Sequence, residues 1–328
     1  MDQINWGIIG CGNVTELKSG PAFNKVDGSR LVAVMRRDAA KAKDYARRHN
    51  VPRWYSDANL LINDPEVNAV YIATPPNTHA EYAIRVMRAG KPVYVEKPMA
   101  MNEAECSEMI RVSEETGQPL FVAYYRRAIP YFIKIKELID SGVIGDVRIV
   151  NLKLHHPLKP EEINPSLQFG WRVDPVISGG GHFHDMASHQ LDLMLYFFGP
   201  TKKVKGISIN QAGLYAADDA TIGLIEFESG VLFTGSWCFS VPQNQNTDTT
   251  DIIGSKGKLT FSTFAKPIIT IEKETGEIET IEIPYPQHVQ HPNITLVVQT
   301  LQGTAQSPSS GMTGMGATIL MDQITEKI

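Results

Sequence analysis

Chemistry in this chain would come from a few short stretches. The first is Gly7-Ile8-Ile9-Gly10-Cys11-Gly12-Asn13-Val14-Thr15, which follows an apolar run and opens a helix. Gly10 permits a tight turn. Gly12 lets the backbone approach a pyrophosphate at a helix N-terminus, where N–H groups and the dipole favour an anion. Asn13 and Val14 lie in the same loop-to-helix junction, so Gly10, Gly12, Asn13 and Val14 are candidate cofactor contacts. Thr15 stands where the usual fingerprint has a third Gly or Ala, which predicts looser helix–strand packing.

The second stretch is Arg36-Arg37-Asp38, at the end of the run Leu31–Met35. An acid in that slot binds a ribose 2′-OH and selects NAD. Arg36 occupies it here. Guanidinium forks hold a phosphate bidentately, so Arg36 and Arg37, with Lys41 one turn on, predict NADP, NAD being possible. Two more stretches, Ala73-Thr74-Pro75-Pro76-Asn77-Thr78-His79 and Tyr94-Val95-Glu96-Lys97-Pro98, each follow an apolar run. Both therefore lie at the carboxyl ends of parallel strands, where open α/β sheets bind ligands. Thr74, Pro75, Asn77, His79, Glu96 and Lys97 join the candidate cofactor contacts. Farther along, Asp185 and His189 are spaced i, i+4 and share one helix face.

The order of these motifs resembles that of the glucose-fructose oxidoreductase / inositol dehydrogenase / MocA (Gfo/Idh/MocA) family over nearly the whole chain. The resemblance implies that Lys97 is catalytic, that His189 exchanges a proton at the reacting oxygen, and that Asp185 contacts the substrate or orients the site. Gly170-Trp171-Arg172 and Gly179-Gly180-Gly181 are similar to a segment of 1,5-anhydrofructose reductases, which makes Trp171 and Arg172 candidate cofactor or substrate contacts. One departure is Tyr125, where many members carry Asn. The family also contains glycosidases that retain a nicotinamide and work by oxidation and elimination, and non-catalytic cofactor-sensing regulators. Retention of Lys97 and His189 argues against the regulator. Because its members use several chemistries, the resemblance leaves the substrate open beyond a sugar, polyol or related small molecule.

A metal is the rival chemistry. His182, His184, Asp185 and His189, with His155 and His156 upstream, have the ligand types for zinc. The chain lacks the barrel pattern of metal-dependent hydrolases, and no metal is expected.

The elements that position these residues are legible as periodicity. Apolar runs at Trp6–Ile9, Leu31–Met35, Asn68–Ala73, Pro92–Val95 and Leu120–Ala123 alternate with helical stretches near Ala39–His49, Ala80–Ala89 and Glu103–Thr116. That alternation predicts a doubly wound parallel sheet, a Rossmann domain over residues 1–126. After Arg127 the pattern changes. A helix over Tyr131–Ser141 and another over Asp185–Phe198 accompany strands near Val147–Leu154, Lys203–Gln211, Ala220–Glu228, Val231–Phe239, Asp251–Ile253, Lys258–Ser262, Ile268–Glu272 and Ile278–Ile283. This predicts an α+β substrate domain over 127–328 with a large, mostly antiparallel open sheet, and a last helix, Thr313–Glu326, able to pack back on the first domain. The active site is expected between the domains. Val231, Phe233 and Trp237 are expected on an uncovered sheet face that joins subunits into a homodimer or homotetramer.

Composition bounds the rest. The 328 residues suggest about two domains. With 42% hydrophobic and 20% charged residues the chain is an ordinary globular one. Its 31 basic and 36 acidic residues give a net charge of −5, which argues against a nucleic-acid partner. No apolar run reaches the ~18 residues of a membrane span. Three scattered cysteines and no visible signal peptide predict a cytoplasmic protein.

Overall fold

The apolar runs of the first third form parallel strands because their side chains are buried on both faces of a sheet. The computed structural model describes residues 1–158, 160–163 and 170–326. Its first six strands are β1 (Ile4–Ile9), β2 (Ser29–Met35), β3 (Arg53–Tyr55), β4 (Ala69–Ile72), β5 (Val93–Val95) and β6 (Leu120–Val122). All pair in parallel, in the order β3-β2-β1-β4-β5-β6. The chain reverses its direction of progress between β1 and β4, and a crevice at the carboxyl ends of such strands is where this sheet type binds ligands.

The connecting helices are α1 (Asn13–Leu17), α2 (Ala39–Arg48), α3 (Ala58–Ile62), α4 (His79–Arg88) and α5 (Glu103–Thr116). Three start on side-chain caps. Asp38, Asp57 and Asn102 accept from the backbone N–H groups of Lys41, Asn59 and Glu105. β3 and α3 escape the sequence reading because β3 is a three-residue edge strand with no fully buried position.

Each face of this sheet has its own core. One holds Val70, Ile72, Val93, Val95 and Val122 with Ala83, Val86 and Met109 of the helices. The other holds Trp6, Ile8, Val34, Tyr71 and Tyr94 with Phe23, Ile294, Val297 and Val298. The last three belong to a helix absent from the sequence reading, His291–Gln302.

That helix revises the domain boundary. The expected division falls once, after residue 126. The structure instead has one compact unit of Met1–Ile129 with Pro286–Thr318, and a second of Pro130–Tyr285 with the chain from Ile319 onward. The reason is burial. Ile294, Val297 and Val298 are wholly buried against the parallel sheet.

In the second unit, α6 (Pro130–Asp140) leads to β7 (Val147–His155), then α7 (Ser188–Phe198) and strands β8 (Thr201–Ile209), β9 (Ala220–Phe227), β10 (Leu232–Cys238), β11 (Thr247–Gly254), β12 (Gly257–Phe261), β13 (Ile268–Lys273) and β14 (Ile278–Glu282). The helix His291–Gln302 is α8, and Gly311–Ile324 is α9. The sheet order is β14-β13-β12-β11-β7-β10-β9-β8. Only β7 and β10 pair in parallel.

One face of this sheet is covered. Phe198 meets Phe227, Phe197 and Phe132 meet Phe261, and Phe183 meets Trp237, all with ring centroids 5.1–6.5 Å apart. Val231, Phe233 and Trp237 lie on or beside this covered side, 6%, 1% and 1% exposed. The expectation that they form the open face is therefore reversed: successive side chains of a strand alternate between faces, and the helices cover the face that carries these residues. The open face instead carries Ile207, Ile222, Leu224 and Leu232, each more than half exposed. Among the described residues no helix is long and apolar enough to cross a membrane.

Candidate active site

The glycine loop follows directly from β1. Gly10 has φ +93°, and a Cβ there would lie 2.8–2.9 Å from Thr74 Cγ2 and the Ala73 backbone. Only glycine satisfies both conditions. The amides of Gly10 and Cys11 donate to the Met35 carbonyl at 2.9 and 3.2 Å, which ties the loop to the end of β2. At Gly12, in extended backbone before α1, an added Cβ would meet nothing nearer than the Gly10 carbonyl at 3.8 Å. The loop therefore has open space above it for a phosphate, as a dinucleotide site requires. Asn13 is exposed and Val14 half-buried beside that space. Burial pushes the Cys11 thiol up to about 11, so it takes no nucleophilic part near neutrality.

Thr15 does not loosen the packing. It is fully buried, and its hydroxyl donates to the Gly12 carbonyl at 2.7 Å. The close approach is displaced to Gly20, whose added Cβ would sit 2.2 Å from the Thr15 carbonyl.

At the end of β2, Arg36 reaches back to the glycine loop and donates to the Cys11 carbonyl at 3.3 Å. Arg37 and Lys41 are exposed. The nearby acid, Asp38, is engaged elsewhere. It caps α2 and pairs with the Lys41 ammonium at 3.5 Å. Of the three expected cations, Arg36 alone is directed to the loop.

After β4, Thr78 donates to Thr74 Oγ1 and the Pro75 carbonyl at 2.8 and 3.0 Å, closing the turn. Thr74 and Pro75 are half-buried and Asn77 is exposed. His79 is fully buried, with Nε2 2.8 Å from the Thr74 carbonyl and Nδ1 2.9 Å from the Pro98 carbonyl. Both ring nitrogens face protein atoms, which places His79 as an internal tie and not as a cofactor contact.

Glu96 is likewise internal. One carboxylate oxygen accepts from Tyr71 Oη at 2.5 Å and Gln290 Nε2 at 2.6 Å; the other accepts from the Lys97 amide at 3.2 Å. Tyr94 donates to Gln290 and accepts from Asn293, each at 3.0 Å. Burial, reinforced by the Glu96 charge, raises the Tyr71 and Tyr94 pKa values well above the ordinary phenol range, so both remain protonated donors. Lys97 is half-buried at the end of β5, and its peptide bond to Pro98 is cis. Gln290 and Asn293 belong to no motif. The spacing Ile294, Val297, Val298 is the i, i+3, i+4 signal that would have revealed their helix.

In the second unit, Arg172 Nε donates to Asp185 Oδ2 at 2.9 Å, and the guanidinium lies 4.8 Å from the Trp171 ring centroid. Arg172 thus holds Asp185. Asp185 sits in a single π-helical turn, Phe183–Ala187, and His189 in the first turn of α7. The expected helix start at Asp185 is therefore a wider turn, a feature common at functional sites. His189 is 5% exposed, with Phe264 at 6.1 Å between ring centroids. In the first unit, Tyr125 accepts from Arg126 Nη1 at 2.9 Å beneath its guanidinium.

The other histidines are dispersed. His155 bonds Ser236 at 2.9 Å, and His156 lies 3.9 Å from Glu162. His184 packs under Gly180, where a Cβ would come 2.1 Å from its Nδ1. Among the described residues no three His, Cys, Asp or Glu side chains are grouped for a metal ion.

His182 is 4% exposed, between Tyr215 and Phe239. Burial holds its pKa below the ordinary histidine value, with Asp185 and Glu162 opposing. The unfolded chain then takes the proton more readily than the folded one. Its contribution is intact above about pH 6.5 and is lost as pH falls through the depressed folded value. His182→Phe is expected to flatten the acid-side loss of stability, measured as urea midpoints from about pH 7 to about pH 5. An unchanged slope would contradict this.

Residues 4–124 match the family description "Oxidoreductase family, NAD-binding Rossmann fold", and residues 132–260 match the GFO/IDH/MocA C-terminal domain. Oxidoreductase P35 of Formosa agariphila is 42% identical over 98% of both chains. Trans-1,2-dihydrobenzene-1,2-diol dehydrogenase of Bos taurus is 27% identical over 77% of this chain and 72% of its own. Levoglucosan dehydrogenase, solved with NADH and levoglucosan, shares the fold with a TM-score of 0.88 at 21% identity, covering 99% of this chain and 96% of that one. With the strand order, the glycine loop and the Glu96-Lys97-Pro98 segment in place, the chain belongs to the Gfo/Idh/MocA family of NAD(P)-dependent oxidoreductases.

Proposed function

We propose that this enzyme uses NADP(H) to reduce a carbonyl, or oxidise a secondary alcohol, of a sugar, polyol or related small molecule. The observation that carries the reading is Lys97, an ammonium-bearing side chain whose backbone is anchored at the end of β5 by the buried Glu96 carboxylate. The bound nicotinamide supplies or accepts the hydride. In reduction, hydride adds to the carbonyl carbon and the π electrons move to oxygen. Lys97 stabilises the charge growing on that oxygen, and His189 gives it a proton. Oxidation reverses each step. Asp185, held by Arg172, orients the substrate. Gly10, Gly12, Asn13 and Val14 frame the pyrophosphate, and Thr74, Pro75 and Asn77 border the same crevice.

Arg36 supports NADP. It reaches the glycine loop, while the only adjacent acid caps α2. Arg36→Asp is expected to weaken NADPH binding by ~1.5–3 kcal/mol, the worth of a charge-assisted hydrogen bond. Equal wild-type affinity for NADH and NADPH, by fluorescence titration, would reject the NADP assignment.

The open face of the second sheet supports a homo-oligomer. Ile207 is paired with Ile222, and Leu224 with Thr234, so Ile207, Ile222 and Leu224 form one exposed apolar patch with Leu232. A contiguous patch of this kind marks an interaction site. Leu224→Arg is expected to shift the protein to monomer in sedimentation. A wild-type monomer at micromolar concentration would refute the assembly. Cys11, Cys106 and Cys238 are not joined in disulfides, which supports a cytoplasmic location.

A further inference from the structure

We propose that His79 is a positioning residue for Lys97, fixing the Lys97-Pro98 segment by donating from Nδ1 to the Pro98 carbonyl. The inference rests on the catalytic reading of Lys97 and adds a residue that acts on it from outside the site.

His79 is the first residue of α4, whose Ala83, Val86 and Met87 are wholly buried. The base of the side chain is therefore rigid. The ring is fully buried too, and an apolar residue would fill that space without the cost of desolvating an imidazole. What the imidazole adds is two directed contacts. Nδ1 meets the Pro98 carbonyl at 2.9 Å and Nε2 the Thr74 carbonyl at 2.8 Å. The Lys97 backbone is thereby held on both flanks. Glu96 accepts from its amide on one side, and His79 bonds the next carbonyl on the other.

Burial lowers the pKa of the ring, helped by the Lys97 charge and opposed by the Thr74 and Pro98 carbonyls and the Glu96 charge. The neutral ring owns one N–H and satisfies one carbonyl. Assigning that proton to Nδ1 makes the bond that serves Lys97.

Two substitutions separate the contacts. His79→Asn places an amide N–H near the position of Nδ1, and His79→Gln near that of Nε2. His79→Leu removes both. Three measurements apply: single-turnover hydride transfer, NADPH affinity, and the rate at which acetic anhydride labels Lys97, read by mass spectrometry against the other lysines. Transfer is expected to fall in the order wild type, Asn, Gln, Leu. The Leu variant should lose roughly 10- to 100-fold, the scale of a misplacement near 1 Å. Lys97 labelling should quicken in the same order, with NADPH affinity nearly unchanged. If Asn and Gln behave alike, or if NADPH affinity falls in step with transfer, the proposal is overturned. The Asn–Gln comparison decides the matter even where the Leu variant fails to fold. Labelling needs no turnover. An ordered labelling series in a protein without hydride transfer would therefore reject the catalytic reading while retaining the positioning role.

Discussion

Lys97→Ala and His189→Ala are each expected to lower turnover at least ~100-fold while leaving cofactor affinity little changed. A charge placed where an oxyanion develops acts on the transition state far more than on the bound ground state, so its loss appears in the chemical step. Neither residue belongs to the glycine loop, where the phosphate contacts are expected. If both groups serve one oxygen, as proposed, the double variant should be little worse than the poorer single one, because such effects are not additive. Single-turnover transfer and NADPH binding, measured separately on all three variants, test this. Near-wild-type turnover in Lys97→Ala would overturn the assignment of the lysine. Independent, multiplicative losses would mean that the two residues serve different steps.

Glu96→Leu should produce the largest loss of stability, ~2–4 kcal/mol. It deprives three donors, Tyr71 Oη, Gln290 Nε2 and the Lys97 amide, of their acceptor. Each buried donor left unsatisfied costs about 1–3 kcal/mol, and removal of a desolvated carboxylate offsets part of the sum. Glu96→Gln should cost less, because its amide oxygen still accepts while its NH2 meets a donor. Gln290→Leu should fall between them, since it breaks the bonds to Glu96 and Tyr94 but leaves the carboxylate its other two partners. Urea unfolding of the three variants gives the ranking. A loss below about 0.5 kcal/mol in Glu96→Leu would show that the network does not support the folded state.

Most of the elements, and the motif residues of the candidate site, are determined locally. A strand buried on both faces must be apolar throughout, so β1, β2, β4, β5 and β6 are visible as runs. Gly10 is required by a positive φ, which follows from the turn itself, whereas its close approach to Thr74 comes from the pairing of β1 with β4. Asp38 and Asn102 mark helix starts because a cap needs its side chain within two or three residues.

What the tertiary structure decided are relations between distant parts of the chain. Gln290 lies 194 residues beyond Glu96, and no spacing rule connects them. The return of α8 to the first sheet, and hence the split composition of that unit, depends on which uncovered face its apolar stripe meets. His79 reads as a ligand contact from its place at a strand end. Only folding shows both its nitrogens facing carbonyls five and 19 residues along the chain. Trp237 and Leu224 are both apolar residues in strands, and which of them faces water depends on the side from which Phe183, Phe197 and Phe198 approach the sheet. Alternation says that the faces differ. The helices decide which face is covered, because hydrophobic burial is non-directional and acts on whatever surface the rest of the chain brings near.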